Sequence, residues 1–537
     1  MKHWLLERVF YEIYTPSFFD ANNDGKGDIP GIIQKLDYLV SMGIGAIWLT
    51  PFYRSPKVDN GYDISDYMSV DPEYGSTDDI IALIREAHKR NIKVVIDMVL
   101  NHTSDQHPWF LQSRLSKDNP KRNWYIWKDA TGSSLPNNWE SFFGGSAWEY
   151  DQKTDSYYYH AFSKSQVDLN WAYPLVRSAM YDILKYWLEM GIDGFRLDVI
   201  NFLKTGTEFP DNPYDNSRVK QIHRFDKDQE GVKQVLKEIR SICKAYGDIL
   251  LLGEIGNDSL DEIMNYVGDD YLDAALNFNL GSIQTFDCSK IGREFLTMET
   301  KYPELTKTYF FSSHDMRRHI SRFCRPEYEL DIARLVAVFL LTVRGIPILY
   351  YGEELGMQDL VAQSVQDLRD IQAIKKYNEC VANGMTEEES LRVIVPYNRD
   401  ASRSPMQWDG IVAAGFTRSI PWIGLSPSYK ERNVTKESAD SESLLQFYRQ
   451  LILLRNSNKS LQQGTYSKLT VKGWGILFER EWRTERVTVI LNFTDKSIVL
   501  DSDCIKLNRP FISSLGPGYN RQHMMGLHPY EACIGFS

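Results

Sequence analysis

The sequence has no excess of basic residues: 61 Lys and Arg stand against 72 Asp and Glu, a net charge of −11. Nucleic-acid binding relies on phosphate neutralisation by a basic surface, so this balance argues against a nucleic-acid partner. Paired cysteines are missing too. Cys243, Cys288, Cys324, Cys380, Cys504 and Cys533 are far apart and form no CxxC, which predicts free thiols in a reducing compartment rather than a disulfide framework or a zinc site. No apolar run is long enough for a spanning helix, and the start, "MKHWLLERVFYEIYTPSFF", has no apolar core of a signal peptide. These absences predict a cytoplasmic protein with no membrane partner. Repeats and low-complexity segments are also lacking.

Aromatic residues, by contrast, are abundant: 13 Trp, 31 Tyr and 25 Phe in 537 residues. Aromatic faces stack on the apolar faces of sugar rings as well as on nucleobases, and the acidic balance favours the sugars. The chain is long enough for one large domain with attachments. Eight β-rich runs recur, each ending in polar residues: "VFYEIYT", "GAIWLTP", "KVVIDMVLNH", "GFRLDV", "ILLLGE", "AALNF", "YFFSSHD" and "IPILYYGEE". Amphipathic helical patterns such as "DDIIALIREAHKR" and "GVKQVLKEIRSICKAYG" lie between most of them. This alternation predicts an α/β protein, a (β/α)8 TIM barrel.

The spacing breaks in two places. About seventy residues separate "VLNH" from "LVRSAMYD", too many for a βα loop, so an inserted subdomain is expected over 103–173, the B subdomain of the resemblance described below. A second excursion, 358–440, follows the eighth strand. The barrel then comprises 1–102 and 174–462, and the alternating tail 463–537 predicts a separate C-terminal antiparallel β domain, which the resemblance described below implies is a β-sandwich.

Within "GFRLDVIN" (194–201), alternation places Phe195, Leu197 and Val199 on one face and Arg196 and Asp198 on the other. Polar residues at the C-terminal ends of barrel strands point into the mouth, where chemistry is done. Asp198, Glu254 and Asp315 end the fourth, fifth and seventh runs. Carboxylates brought together repel one another, which raises at least one pKa and yields an acid and a base from the same group. That suits glycoside hydrolysis, in which one carboxylate attacks the anomeric carbon and another protonates the leaving oxygen.

"DMVLNH", "GFRLDVIN", "GEIG" and "HD" (314–315), in this order, resemble the four signature regions of the α-amylase superfamily of glycoside hydrolases. "GYDISDY", "QVDLNW", "GIPILYYGEE" and "ASRSPMQWD" resemble signatures of its oligo-1,6-glucosidase, dextran glucosidase and α-glucosidase branch. The resemblance implies that Asp198 is the nucleophile, Glu254 the general acid/base and Asp315 the carboxylate that stabilises the transition state. It implies that His102 and His314 bond the reacting glucose, that Tyr62 stacks on it, and that Asp63 and Arg318 close the pocket. Phe162 is expected to line that pocket. Arg196 should keep the nucleophile charged, and Val199 is tied to a preference for α-1,6 bonds. In region four this chain reads "SHDMRR" where relatives read "NHDQPR", so Ser313, Met316 and Arg317 are departures.

A different site is expected in "DANNDGKGD" (20–28). Asp20, Asn22, Asp24 and Asp28, with the Lys26 carbonyl, place hard oxygens at alternate positions, which suits Ca²⁺. The twelfth-position Glu of an EF-hand is absent, so a structural rather than sensing ion is expected, and the relatives carry one at the matching loop.

The sequence thus predicts a retaining, exo-acting α-glucosidase for small α-glucosides, without an organic cofactor and most simply monomeric. Three alternatives remain: a transglycosylase or sucrose isomerase, a hydrolase of phosphorylated disaccharides, to which Arg317 would add charge, and a silent binding protein like the heavy chains of amino-acid transporters. The last usually lack catalytic residues that this chain retains.

Overall fold

The structure is a computed structural model that describes residues 3–132, 134–217, 220–500, 511–516 and 526–536. Cys504 lies outside the described residues. Eight strands form the central sheet: β1 (Phe10–Ile13), β2 (Ala46–Leu49), β3 (Lys93–Val99), β4 (Gly194–Asp198), β5 (Leu250–Glu254), β6 (Ala274–Leu276), β7 (Thr308–Tyr309) and β8 (Ile346–Tyr350). The ladders are parallel and run in sequence order, with β8 returning to β1. At the β6–β7 seam the described residues form no ladder; the Thr308 hydroxyl instead donates to the Ala275 carbonyl at 2.8 Å. Each of the eight runs read from the sequence is a strand, although the seventh is only two residues long and leaves Asp315 in the turn beyond it.

Period-two alternation builds two cores from one sheet. Phe10, Ala46, Trp48, Val95, Leu250, Leu252, Ala274, Ile346 and Ile348 fill the barrel. Tyr11, Ile47, Val94, Ile96, Phe195, Leu197 and Leu251 face outward into the layer beneath the helices. Those helices include α1 (Thr77–Lys89), α2 (Pro174–Glu189), α3 (Gly231–Lys244), α4 (Cys288–Lys301) and α5 (Glu329–Thr342). In α1, Ser76 and Asp79 form a capping box, and Ile80, Leu83, Ile84 and Ala87 make the buried face.

After β3 the chain leaves the barrel. Trp127–Asp129, Trp148–Asp151 and Ser156–Tyr159 form a small antiparallel sheet, and Gln166–Asp168 returns against His102–Ser104. At this junction the buried Lys204 ammonium donates to the Phe202 carbonyl at 2.6 Å and to the Asp226 carbonyl. Asp168 is 3.9 Å from the same ammonium, so a side-chain cation ties the inserted segment to the barrel rim. The excursion after β8 includes the helices α6 (Ile371–Ala382) and α7 (Glu387–Ile394).

Beyond α8 (Leu444–Ser457) the strands β9 (Thr465–Lys472), β10 (Gly475–Trp482), β11 (Glu485–Asn492), β12 (Phe511–Ser513) and β13 (Ala532–Phe536) make an antiparallel sheet. One face joins the main core through Ile476, Phe478, Val487 and Val489. The other packs Leu477, Ile490 and Phe511 against Leu500 and Leu527.

Candidate active site

The alternation that fills the barrel turns polar at its C-terminal end. One inward step beyond Phe10 is Glu12; beyond Val95 is Asp97; beyond Leu252 is Glu254. In β4 the inward positions are Arg196 and Asp198. Arg196 is fully buried and donates from Nη1 to Asp198 Oδ1 at 2.6 Å and to Asp97 Oδ1 at 2.8 Å. Its Nη2 donates to the Glu254 carboxylate. Asp97 also accepts from the Tyr62 hydroxyl at 2.9 Å.

Three carboxyl groups therefore share one guanidinium. Burial pushes the Asp198 carboxyl well above its usual range; Arg196 opposes this, and Glu254, Asp97 and Asp315 add to it. Glu254 is pushed up in the same way, by burial first, with Arg196 opposing and Asp315 and Asp97 adding. Arg196, expected to keep Asp198 charged, is in contact with it as the strand pattern requires. Its charge lowers the Asp198 pKa against burial and is shared with Asp97 and Glu254.

Asp315 stands on the opposite side of this balance. Burial would raise its pKa, but His314 at 3.1 Å, Arg399 at 3.5 Å and Arg403 at 3.3 Å bring it well below the carboxylate range. The His314 ring lies between the rings of Tyr62 and Tyr14, with centroids 5.4 and 6.1 Å away. Its Nδ1 bonds to Glu12. Burial opposes its charge, yet Asp315 and Glu12 outweigh it and push the imidazolium pKa up to about 9. His102 is the reverse case: burial brings its pKa down to about 3, so the ring is neutral.

These groups open into a cavity of about 360 Å³. Of the residues expected at the site, Asp198, Glu254, Asp315, Tyr62, His102, Phe162 and Val199 line it. Arg196 and His314 lie just beneath, in contact with the lining carboxylates. Phe162 packs against the rings of His102 and Phe202 at 5.7 and 5.2 Å.

The structure does not bring Asp63 and Arg318 together. Asp63 is buried, and its carboxylate accepts from the Val58 and Asp59 backbone N–H groups at 2.9 and 3.0 Å. Arg318 donates to the Tyr351 and Ser402 carbonyls at 2.7 and 2.9 Å, with the Tyr350 and Tyr351 rings beside it. Neither lines the cavity. The closing pair is Asp59 and Arg399, joined at 2.6 Å, with Gln166 donating to Asp59 at 3.1 Å. Asp63 shapes the loop that carries Asp59, which ties its motif to the site without placing it there.

Val199 also departs from the strand pattern. Alternation would send it outward with Leu197, but β4 stops at Asp198 and Val199 adopts φ 35°, ψ 45°. A β-branched residue in this left-handed region is strained, and such strain is held where surroundings over-determine it. The turn swings Val199 into the cavity wall, in the cluster with Phe162 and Phe202. In region four, Met316 packs in the barrel interior and the Ser313 hydroxyl accepts from the Asp315 N–H at 3.2 Å. Arg317 is paired with Asp359 at 2.6 Å and lies outside the catalytic cavity.

The functional residues missed in the sequence are Asp97, Glu12, Asp59, Arg399 and Arg403. Asp97 was findable, because it stands two residues after the inward Val95. Arg399 was not, because its partner Asp59 is 340 positions away.

The loop at 20–28 has the expected oxygens, and their chemistry suits a hard cation. Here the carboxylates face other donors: Asp20 accepts from the Asn23 and Gly25 N–H groups at 2.6 and 2.8 Å, and Asp24 from the Lys26 N–H at 2.8 Å. Asp28 accepts from the Gly31 N–H at 2.6 Å and caps the following helix. Among the described residues no three His, Cys, Asp or Glu side chains converge as a metal-binding group. Gly25 is required in any case: its φ is 99°, and a Cβ there would stand 2.2 Å from the Ile420 carbonyl oxygen.

A parallel barrel with three acids converging on a cavity at its mouth, under an aromatic insert, fits a carbohydrate-active barrel enzyme. The family model for the alpha amylase catalytic domain matches residues 12–464, and the chain belongs to the alpha-amylase family of glycoside hydrolases. It is 40% identical to the oligo-1,6-glucosidase of Parageobacillus thermoglucosidasius, over 92% of this chain and 91% of that one. It is 36% identical to the trehalose-6-phosphate hydrolase of Escherichia coli (strain K12), with 92% and 91% covered. Among solved structures it resembles isomaltulose synthase from Klebsiella sp. LX3, with a TM-score of 0.93, 34% identity and 99% of each chain covered. Among the described residues no helix is long and apolar enough to cross a membrane.

Proposed function

We propose that the protein is a retaining, exo-acting α-glucosidase that hydrolyses short isomalto-oligosaccharides and related disaccharides, with α-1,6 bonds preferred. The observation that carries this reading is the cavity with Asp198, Glu254 and Asp315 on its wall and the Asp59–Arg399 pair at its closed end. A blind end admits one terminal glucose and nothing beyond it. Asp198 attacks the anomeric carbon while Glu254 gives its proton to the leaving oxygen, and a covalent glucosyl-enzyme forms. Glu254 then takes a proton from water, which attacks the same carbon and frees Asp198. The low pKa of Asp315 keeps it an anion, suited to accept hydroxyl hydrogen bonds and face the positive charge that develops on the sugar.

The relatives named above favour hydrolysis of α-1,6 bonds, sucrose isomerisation or cleavage of a phosphorylated disaccharide. Among the described residues Arg399 is the cation lining the cavity, and it is committed to Asp59 and Asp370. Arg317 is committed to Asp359, so neither is free for a phosphate. Initial rates on maltose, isomaltose, sucrose, trehalose, panose and their 6-phosphates decide the matter. The reading expects isomaltose to lead; trehalose 6-phosphate as the best substrate contradicts it, and isomeric disaccharide products from sucrose favour the isomerase.

We propose that Asp20, Asn22, Asp24, Asp28 and the Lys26 carbonyl would hold a structural rather than catalytic Ca²⁺. We place the enzyme in the cytoplasm, a reading supported by the unpaired thiols of Cys288, Cys324 and Cys380.

A further inference from the structure

The Glu12 carboxylate is fully buried near the C-terminal end of β1, and among the described residues its hydrogen bonds go to His314 alone. The His314 backbone N–H donates to Glu12 Oε1 at 3.2 Å, and the ring Nδ1 bonds to the same oxygen. Glu12 Oε2 has no partner among the described residues. A buried carboxylate is costly unless it is paired. This one is placed against a single ring.

The other side of that ring meets two acceptors. Nε2 is 3.1 Å from Asp315 Oδ2 and in contact with the Tyr62 hydroxyl oxygen. The one proton of that hydroxyl is committed to Asp97 Oδ2 at 2.9 Å, so its oxygen can only accept from the ring. Nδ1 faces a carboxylate as well. Both ring nitrogens must therefore donate, which makes the ring an imidazolium. The faces of Tyr14 and Tyr62 enclose it, and Trp48 meets it edge-on at 5.9 Å. Glu254 adds a further attractive charge. The nearby cations, Arg399 and Arg403, both turn to Asp315, and Arg403 Nε also donates to the His314 carbonyl at 2.8 Å.

The Nε2 proton lies between two groups of the cavity wall, Asp315 and Tyr62. Without it a nitrogen lone pair would face a carboxylate and a hydroxyl oxygen, and all three would repel. We infer that Glu12 is a positioning residue for the reaction: it holds a proton on His314 Nδ1, so that the second ring proton stays on Nε2 between Asp315 and Tyr62, and loss of that proton to solvent ends catalysis at alkaline pH. The inference rests on the glucosidase reading, in which Asp315 acts as an anion on the reacting sugar. Burial pushes the Glu12 carboxyl up while His314 opposes it, so the two ionise as a pair. Burial also opposes the charge on His314, but Asp315 and Glu12 outweigh it and push the ring up to about 9. The ring is charged below that value and loses its Nε2 proton as pH rises through it.

The test reads kcat/KM on α-glucosyl fluoride against pH. Fluoride leaves without a proton from Glu254, so the alkaline limb of this profile is free of the general acid. The wild type should lose activity with a midpoint near pH 9 and recover it on return to pH 7. Glu12→Gln keeps an acceptor for the Nδ1 proton and removes the charge. Its limb should move down by about one pH unit or more, the scale of one close opposite charge. Glu12→Ala removes the acceptor too and should lower kcat/KM at pH 6 by about tenfold to a hundredfold, the scale of a misplaced group. Glu12→Gln should restore most of that loss. A purely structural Glu12 would change the melting temperature and leave the limb in place. A limb that does not move, or a wild type with constant kcat/KM up to pH 10, overturns the inference. The wild-type profile decides even if neither variant folds. A wild type inert on the fluoride at every pH overturns the glucosidase reading itself, which is a separate outcome.

Discussion

Arg196 and Asp198 sit two residues apart on β4, on the same inward face, with Nη1 and Oδ1 2.6 Å apart. The Arg196 side chain is fully buried while Asp198 reaches the cavity, and Asp97 and Glu254 compete for the same guanidinium.

Asp198→Asn should therefore separate activity from stability. Loss of the nucleophile should lower kcat by about 10⁴-fold, the scale seen when a residue of a catalytic unit is removed. The folded-state pKa of Asp198 is raised, so the folded state holds the proton more tightly than the unfolded state does. Such a group lowers stability as pH rises above the ordinary carboxylate pKa. The neutral amide of the variant removes that cost, and the melting temperature at pH 7.5 should rise. Near pH 4 the gain should disappear. A variant less stable than wild type at pH 7.5 contradicts the electrostatic account.

His314 titrates in the opposite sense. Its pKa is raised to about 9, so its charge stabilises the fold fully below the unfolded value of 6.5. That contribution is lost as pH rises from there through about 9. NMR titration of the His314 ring should show a midpoint near 9, and Glu12→Gln should move it down by removing one of the two anions. A midpoint that does not move excludes Glu12 as a cause.

Much of this was legible in the sequence, because period-two alternation reports which residues face the barrel and in what order. Arg196, Asp198 and Glu254 could be placed that way, and Asp97 follows from the same phase. Contacts between distant loops carry no such signature. Asp59 meets Arg399 only because two excursions fold over one mouth. The motifs point instead to Asp63, further along the same loop, and to Arg318, which is buried behind the site. The turn at Val199 was hidden for a related reason: its backbone leaves the strand geometry that alternation assumes.

The calcium proposed for the 20–28 loop should act on the fold and not on turnover. A ligand bound only by the native state stabilises it by mass action, about 2.7 kcal/mol at a hundredfold excess over Kd. Chelation, or Asp24→Ala, should lower the melting temperature while initial rates well below it stay unchanged. Immediate loss of activity in a fully folded sample contradicts a purely structural ion.

Val199 stands in the wall directly after Asp198, in a strained turn that offers the leaving sugar a branched apolar group and no hydrogen bond. A 1,6-linked sugar has one more rotatable bond and can swing clear of it. Val199→Thr keeps the branched shape and adds a hydroxyl. It should narrow the isomaltose-over-maltose ratio of kcat/KM by about ten- to two-hundredfold, mainly by admitting maltose. Equal losses on both substrates would reduce Val199 to a packing residue.

The most direct measurement is to trap the covalent intermediate. A 5-fluoro-α-glucosyl fluoride slows the second step more than entry, so the glucosyl-enzyme accumulates and can be mapped by peptide mass spectrometry. The account predicts a single fluoroglucosyl adduct on the peptide bearing Asp198, with none on the Asp198→Asn protein. An adduct on Glu254 or Asp315 contradicts it, and so does turnover that proceeds with no adduct and releases the β-anomer first.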